Sequence, residues 1–375
     1  MTDTTPFIEI NGRKIGPGFP VYVVAEISCN HNGSFDRAVE LIRLAKEAGA
    51  DAAKFQTYTA DTITIDSEEQ WFQIRHESLW EGRNLYDLYR EAHTPWEWQP
   101  KLKKIAQETG IDFFCSPFDP TAVDFLEKEV GVPAYKVASF EIVDILLIQK
   151  IAATGKPMIL STGLANFREI AEAVQAARQA GCRQVALLKC TSNYPAKPSE
   201  MKISSIPHLA RAFHCPVGLS DHTLGSEVAL GAVALGACIV EKHLTLSRKE
   251  GGPDAGFSLE PGEFADLVQG VRTVEQAIGT PDYKLTLEEE KNLMFRRSLF
   301  VVANMKAGET FTPQNVRSIR PGHGLAPKHL PLVLGKKAAR NIRRGTPLDW
   351  TLIVSSPVDD KNDEPIDRKR ELDAV

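Results

Sequence analysis

Two histidines stand at the ends of neighbouring apolar runs, His222 in GLSDHTLG and His243 in VEKHLTL. Imidazoles on adjacent strand ends can share one divalent ion and leave positions open for water and substrate. Such a set suits Mn²⁺, Fe²⁺ or Zn²⁺ acting as a Lewis acid on a carbonyl. A strand-end histidine can also be simply a hydrogen-bonded polar residue. Three lysines lie within or at the end of apolar runs: Lys54 in AAKFQTY, Lys136 in AYKVAS and Lys189 in LLKCTS. A lysine among apolar neighbours must keep its charge paired. Its partner is either the phosphate or carboxylate of a ligand, or a protein carboxylate such as Glu141 or Glu241. Hydroxyls at Ser116, Ser139, Ser161, Thr162 and Ser220 end other runs and would add donors to the same anion site. Glu26, in AEISCNHNG, is placed to move a proton or fix a hydroxyl, with a structural ion pair as the alternative. The NHNG that follows it also reads as a tight turn.

These residues need a scaffold that gathers them. Eight short apolar runs recur along the chain: Tyr22–Ser28, Ala52–Tyr58, Asp112–Pro117, Ala134–Ser139, Pro157–Thr162, Gln184–Thr191, Pro216–Asp221 and Cys238–Thr245. Most are apolar throughout, as strands buried on both faces are. Helical patterns ending in glycine separate them, such as FDRAVELIRLAKEAG with Ala38, Leu41, Ile42 and Ala45 on one face. The pattern predicts the α/β class and a (β/α)8 TIM barrel, whose strand C-termini build one rim where distant residues meet. One connection breaks the rhythm. Residues 59–98 are rich in aromatic and charged groups, far longer than an ordinary loop, and either cover the barrel mouth or decorate the surface.

The chain has 375 residues, more than one barrel needs. The expected organisation is a barrel over 1–285, a charged linker over 286–294, a small β-rich domain over 295–355 and a disordered tail over 356–375. With 43% hydrophobic and 25% charged residues the composition is that of a globular enzyme. The net charge of −5 argues against a nucleic-acid partner. No run approaches the length of a membrane span and no leader-like apolar stretch follows Met1, so a cytoplasmic location is expected. The six cysteines show no CxxC spacing and read as reduced packing residues.

With AEISCNHNG, AAKFQTY, FFCSPFD, YKVAS, LSTG, LKCTSNYP, GLSDHT and EKHLTL in order, the chain resembles the sialic acid synthase family over residues 7 to 353. That family condenses phosphoenolpyruvate with an N-acylated amino sugar, and the C-terminal segment is similar to its antifreeze-like (SAF) domain. LWEGRNLYDLYREAHTPWEW and EGGPDAGFSLEP are most similar to the branch that makes pseudaminic acid from 2,4-diacetamido-2,4,6-trideoxy-L-altrose. The neuraminate and legionaminate branches are the alternative. The resemblance implies that His222 and His243 hold a divalent metal, most often Mn²⁺. It implies that Lys54, Ser116, Lys136, Ser139, Ser161 and Ser220 bind phosphoenolpyruvate, and that Glu26 handles protons and the attacking water. Gln56, Tyr194 and Asp254 match sugar-contacting positions. Arg320, in SIRPGHG, matches an arginine delivered by the SAF domain of a second subunit, which implies a domain-swapped homodimer. After Cys190 and Thr191, either Ser192 or Asn193 is the donor to phosphoenolpyruvate. Apolar contacts to the sugar are expected from Trp71, Phe72, Trp80, Tyr86, Trp96 and Phe257. A barrel metallohydrolase or a Schiff-base aldolase, and an ice- or carbohydrate-binding role for the C-terminal domain, are the competing readings.

Overall fold

The computed structural model describes residues 6–75 and 79–354, so the tail expected to be disordered lies outside the described residues. The chain divides into two compact units after Gly279. The first begins with an antiparallel hairpin, β1 (Ile8–Ile10) and β2 (Arg13–Ile15), turned by Asn11 and Gly12, both with positive φ. This Asn-Gly pair is the residue choice that a tight hairpin turn requires.

Eight parallel strands follow: β3 (Tyr22–Glu26), β4 (Ala52–Thr57), β5 (Asp112–Pro117), β6 (Tyr135–Val137), β7 (Met158–Ser161), β8 (Val185–Cys190), β9 (Val217–Asp221) and β10 (Ile239–His243). They close in chain order, with β10 pairing β3, into the expected barrel. The barrel interior is a packed plug. Val24, Ala52, Phe114, Ala134, Ile159, Ala186, Leu188 and Ile239 point inward, and Ile8, Ile10 and Ile15 of the hairpin pack with them. The hairpin was not anticipated, because its strands are too short to show an alternation.

Helix α1 (Phe35–Glu47) shows how the outer layer forms. Ser34 caps its first turn by accepting from Arg37 N–H, and Leu41 and Ile42 are fully buried against the barrel, each stabilising by roughly 2 kcal/mol. The connection after β4 folds into α2 (Ala60–Ile63), a one-turn element around Gln70–Phe72, and α3 (Leu85–Ala92), before α4 (Gln99–Thr109) returns to the barrel. His31 pins this insertion to the first loop by a 3.1 Å hydrogen bond to Thr94.

The second unit pairs β11 (Ser298–Val301) with β12 (Val316–Ile319) and builds its own core from Leu299, Val301, Phe311, Val316, Leu348 and Leu352. The segment expected as a linker carries a short helix, Leu287–Asn292, started by a reciprocal Thr286–Glu289 cap, and groups with this unit.

Candidate active site

Strand alternation explains the site from below. On each strand the residue two or four beyond an inward-facing core side chain also faces inward, one or two layers nearer the strand C-terminus. Val24 leads to Glu26, Ala52 to Lys54 and Gln56, Phe114 to Ser116, Ala134 to Lys136, and Ile239 to Glu241 and His243. The apolar plug thus gives way to a polar layer. Above it lies a cavity of about 450 Å³ lined by Glu26, Lys54, Gln56, Ser116, Lys136, Ser139, Tyr194, Ser220, His222, His243 and Asp254, all named from the sequence.

The lysines and carboxylates in this layer interlock. Lys54 Nζ lies 2.5 Å from Glu26 and 3.6 Å from Glu241, Lys136 Nζ lies 3.1 Å from Glu241, and Ser220 donates to the same Glu241 oxygen at 3.2 Å. Lys54 also donates to Ser116 at 3.2 Å, and Gln56 donates to Glu26 at 3.0 Å. The two carboxylates are driven apart. Burial raises Glu26, and the adjacent Glu241 charge adds to this against the pull of Lys54. For Glu241 burial also opposes ionisation, but Lys136 and Lys54 overcome it and hold the group below the usual range. Glu241 is therefore the fixed anion and Glu26 the group suited to take and give a proton.

The histidines sit on adjacent strands with ring centroids 5.5 Å apart. His222 Nδ1 lies 3.0 Å from the Thr191 carbonyl, so that nitrogen carries a hydrogen and Nε2 is the one left to meet a ligand. His243 Nδ1 is buried with no hydrogen-bond partner, 3.7 Å from Asp254. Burial, reinforced by the charges of His222, Lys54, Lys136 and Lys242, keeps His243 well below its ordinary value and so neutral. An orphaned imidazole nitrogen beside a second oriented imidazole fits a divalent ion. Among the described residues no group of three or more His, Cys, Asp or Glu surrounds one metal position. The remaining coordination would fall to substrate and water.

Four sequence expectations have different outcomes in the structure. Ser161 faces inward and is fully buried, with its hydroxyl unpartnered, but does not line the cavity. Ser192 also lies outside the lining, yet its Oγ and that of Ser139 converge on Gly163, while Asn193 turns away to donate to Glu200 at 2.9 Å. Ser192 is thus the one packed beside the cavity-lining Ser139. Lys189 alternates to the other face of β8 and donates to the Cys190 carbonyl at 2.6 Å, so it has no part in the anion layer. Arg320 is exposed in the second unit.

The insertion does line the cavity, through Ile63, Ile74, Trp80, Leu85, Leu88, Tyr89 and Ala92. Of the six residues expected to give the sugar apolar contacts, Trp80 alone is among the lining. Its N–H donates to the Pro253 carbonyl at 3.0 Å and its ring lies 5.4 Å from Tyr194. Trp71 faces solvent, Tyr86 bonds Asp61, Trp96 stacks on Phe125, and Phe257 packs under both histidines. Glu141 and Glu241, considered from the sequence only as lysine partners, line the cavity in their own right. Burial raises Glu141 to about 7 and leaves its Oε2 without a partner. Strand alternation identifies Glu241, two residues before His243; Glu141 lies in a loop turn and has no such signal.

Comparison with known proteins agrees with this geometry. The NeuB family model matches residues 41–283 and the SAF domain model residues 296–354. The pseudaminic acid synthase of Campylobacter jejuni subsp. jejuni serotype O:2 is 42% identical over 330 residues, covering 88% of this chain and 95% of that protein. The N,N'-diacetyllegionaminic acid synthase of Legionella pneumophila is 34% identical over 348 residues, covering 91% and 97%. The crystal structure of the N-acetylneuraminic acid synthetase of Leptospira borgpetersenii serovar Hardjo-bovis superposes with a TM-score of 0.69 at 32% identity, covering 78% of this chain and 96% of that one.

Proposed function

This chain belongs to the NeuB family, and on that premise we propose that it is a pseudaminic acid synthase. It joins phosphoenolpyruvate to 2,4-diacetamido-2,4,6-trideoxy-L-altrose with uptake of water and release of phosphate. The observation that carries the reading is the paired-charge layer of Lys54, Lys136, Glu26 and Glu241 directly beside two buried histidines. Higher identity to the pseudaminic relative than to the legionaminic one supports the choice of sugar.

In this reading Lys54 and Lys136 exchange part of their carboxylate pairing for the phosphate and carboxylate of phosphoenolpyruvate, with Ser116, Ser139, Ser192 and Ser220 as hydroxyl donors, Ser161 contributing through its buried hydroxyl. C3 of the enol phosphate bonds to the aldehyde carbon, whose oxygen takes a proton. Water then adds to the electron-poor C2 while Glu26 receives one of its protons, and the C2–O bond to phosphate breaks as the new C2 hydroxyl becomes the carbonyl and its proton leaves with the phosphate. Gln56, Tyr194 and Asp254 orient the acceptor. His222 and His243 are the residues that would hold a divalent metal, most consistently Mn²⁺. When bound, it supplies a positive charge to the carbonyl oxygen as negative charge develops there. Holding two substrates in register is the main contribution of the layer below.

The same reading makes the enzyme a homodimer in which the partner subunit's Arg320 completes each site. Two observations support this. Among the described residues no arginine lines the cavity. Phe140, Leu164 and Leu224, just beyond strand C-termini, and Leu146 and Phe167, in the first turns of the helices that follow, are more than half exposed, apolar residues of the kind that mark an interaction surface.

Phosphate release from phosphoenolpyruvate in the presence of Mn²⁺ tests the proposal. Release with the trideoxy-altrose acceptor, absent with N-acetylmannosamine, without sugar and after chelation, is the expected result. Release with N-acetylmannosamine instead moves the chain to the neuraminate branch.

A further inference from the structure

The cavity has two chemically opposite sides. Its floor is the charged layer on the strand ends, and the side contributed by the insertion is mostly apolar, with Ile63, Ile74, Leu85, Leu88 and Ala92 aliphatic and Trp80 and Tyr89 beside them. Ile74 and Leu88 are buried although they line the cavity, so their exposed surface is spent on its interior. The wall is held by backbone. Ile74 N–H donates to the Arg83 carbonyl at 2.9 Å, Gly82 N–H returns to the Ile74 carbonyl at 2.8 Å, and Asn84 caps α3 while its amide holds the Ser67 carbonyl at 2.8 Å. Across the mouth, the Trp80 N–H is engaged by Pro253.

We propose that this aliphatic wall reads the deoxygenated end of the acceptor sugar, with Leu88 and Ile74 as its specificity-determining residues. The inference rests on the synthase reading above. Bond formation requires the aldehyde at the strand ends, beside the histidines and above the lysines. A linear sugar chain anchored there extends away from the floor, toward the insertion. A terminal methyl meeting Leu88 and Ile74 leaves water behind favourably. A terminal hydroxyl in the same place loses its water and finds no aliphatic partner able to replace it. An apolar pocket rejects an added hydroxyl only moderately, by a factor on the order of 100 at most. The expected preference is therefore between about 10-fold and 100-fold in kcat/KM.

The test uses the full-length enzyme and a matched pair of acceptors, the 6-deoxy diacetamido sugar and its 6-hydroxy analogue of the same configuration. Wild type should favour the deoxy sugar, and L88N and I74T should each shrink the preference toward unity by gaining rate with the hydroxylated sugar while KM for phosphoenolpyruvate stays within about twofold. W71A, changing a solvent-facing residue of the same insertion, should keep the wild-type ratio. If L88N fails to fold, I74T carries the comparison. An active wild type with no preference, or folded variants with an unchanged ratio, overturns the wall as the selector. A folded wild type inactive with both acceptors overturns the synthase reading and the wall with it.

Discussion

His31 in the first loop and Thr94 near the end of the insertion are joined by one hydrogen bond of 3.1 Å, and the geometry fixes the protonation of the ring. Gly33 N–H donates to His31 Nδ1 at 3.1 Å, so the hydrogen sits on Nε2 and the Thr94 hydroxyl accepts it. The ring must be neutral to serve both partners, and burial, with the His93 and Arg37 charges, lowers its pKa from 6.5 to about 4.

That depression has a definite sign. Between pH 6.5 and about 4 the unfolded chain binds the proton and the folded one does not, so stability is fully present above 6.5 and falls as pH drops toward 4. The loss should reach about 3 kcal/mol. Replacing His31 with Gln should flatten this part of the pH–stability profile measured by denaturant melts, and an unchanged slope would show that the ring is not the group responsible.

Glu241 neutralises two lysines at once, so Glu241→Gln leaves buried positive charge without a counter-ion. Breaking a buried pair by one partner costs about 3 to 5 kcal/mol. The variant should melt several degrees lower, and phosphoenolpyruvate or inorganic phosphate should raise its Tm by more than it raises the wild type's. Equal ligand shifts in the two proteins would mean that the lysines are not the anion-binding groups.

Gly163 is where Ser139 and Ser192 come together, and a Cβ there would lie 2.2 Å from the Ser192 oxygen and 2.6 Å from that of Ser139. Gly163→Ala must push both hydroxyls apart, an overpacking that costs about 1 to 3 kcal/mol. KM for phosphoenolpyruvate should rise about tenfold or more, with a smaller effect on KM for the sugar. Steady-state kinetics with each substrate varied in turn distinguishes this from a general loss.

Arg320→Ala should lower activity sharply while sedimentation still shows a dimer. Mixing Arg320→Ala subunits with Glu26→Ala subunits should restore one working site per mixed dimer, because the intact barrel of the first receives the intact arginine of the second. Mixed dimers with no more activity than either parent would remove the shared-site arrangement.

The barrel was legible because its strands are apolar on both faces and stop at Gly, Pro or a polar cluster, so each run announces itself without any knowledge of its neighbours. The site was legible for the same reason, since polar residues at the ends of such runs have few places to go but the rim. Lys189 shows where run-reading stops. It shares a run with Leu188 and Cys190, but a period of two turns it outward, and only alternation counted from the inward-facing Ala186 reveals this. The insertion shows a second limit. Its aromatic content suggested the sugar contacts, yet packing turned Trp96 onto Phe125 and left Trp71 in solvent, and the aliphatic Ile74 and Leu88 took the cavity instead. Which face of an irregular segment looks inward is decided by contacts distant in sequence, and no local period records it.

The hairpin of Ile8–Ile10 and Arg13–Ile15, packed with the apolar plug, makes the cavity a blind well with its mouth at the strand C-termini. A blind well imposes an order of traffic. Whatever binds Lys54 and Lys136 must arrive before the molecule that rests above it, and whatever remains on those lysines must leave last. If Lys54 and Lys136 hold phosphoenolpyruvate, initial-rate kinetics should show an ordered pattern, with phosphoenolpyruvate binding before the sugar and phosphate released after the nine-carbon product.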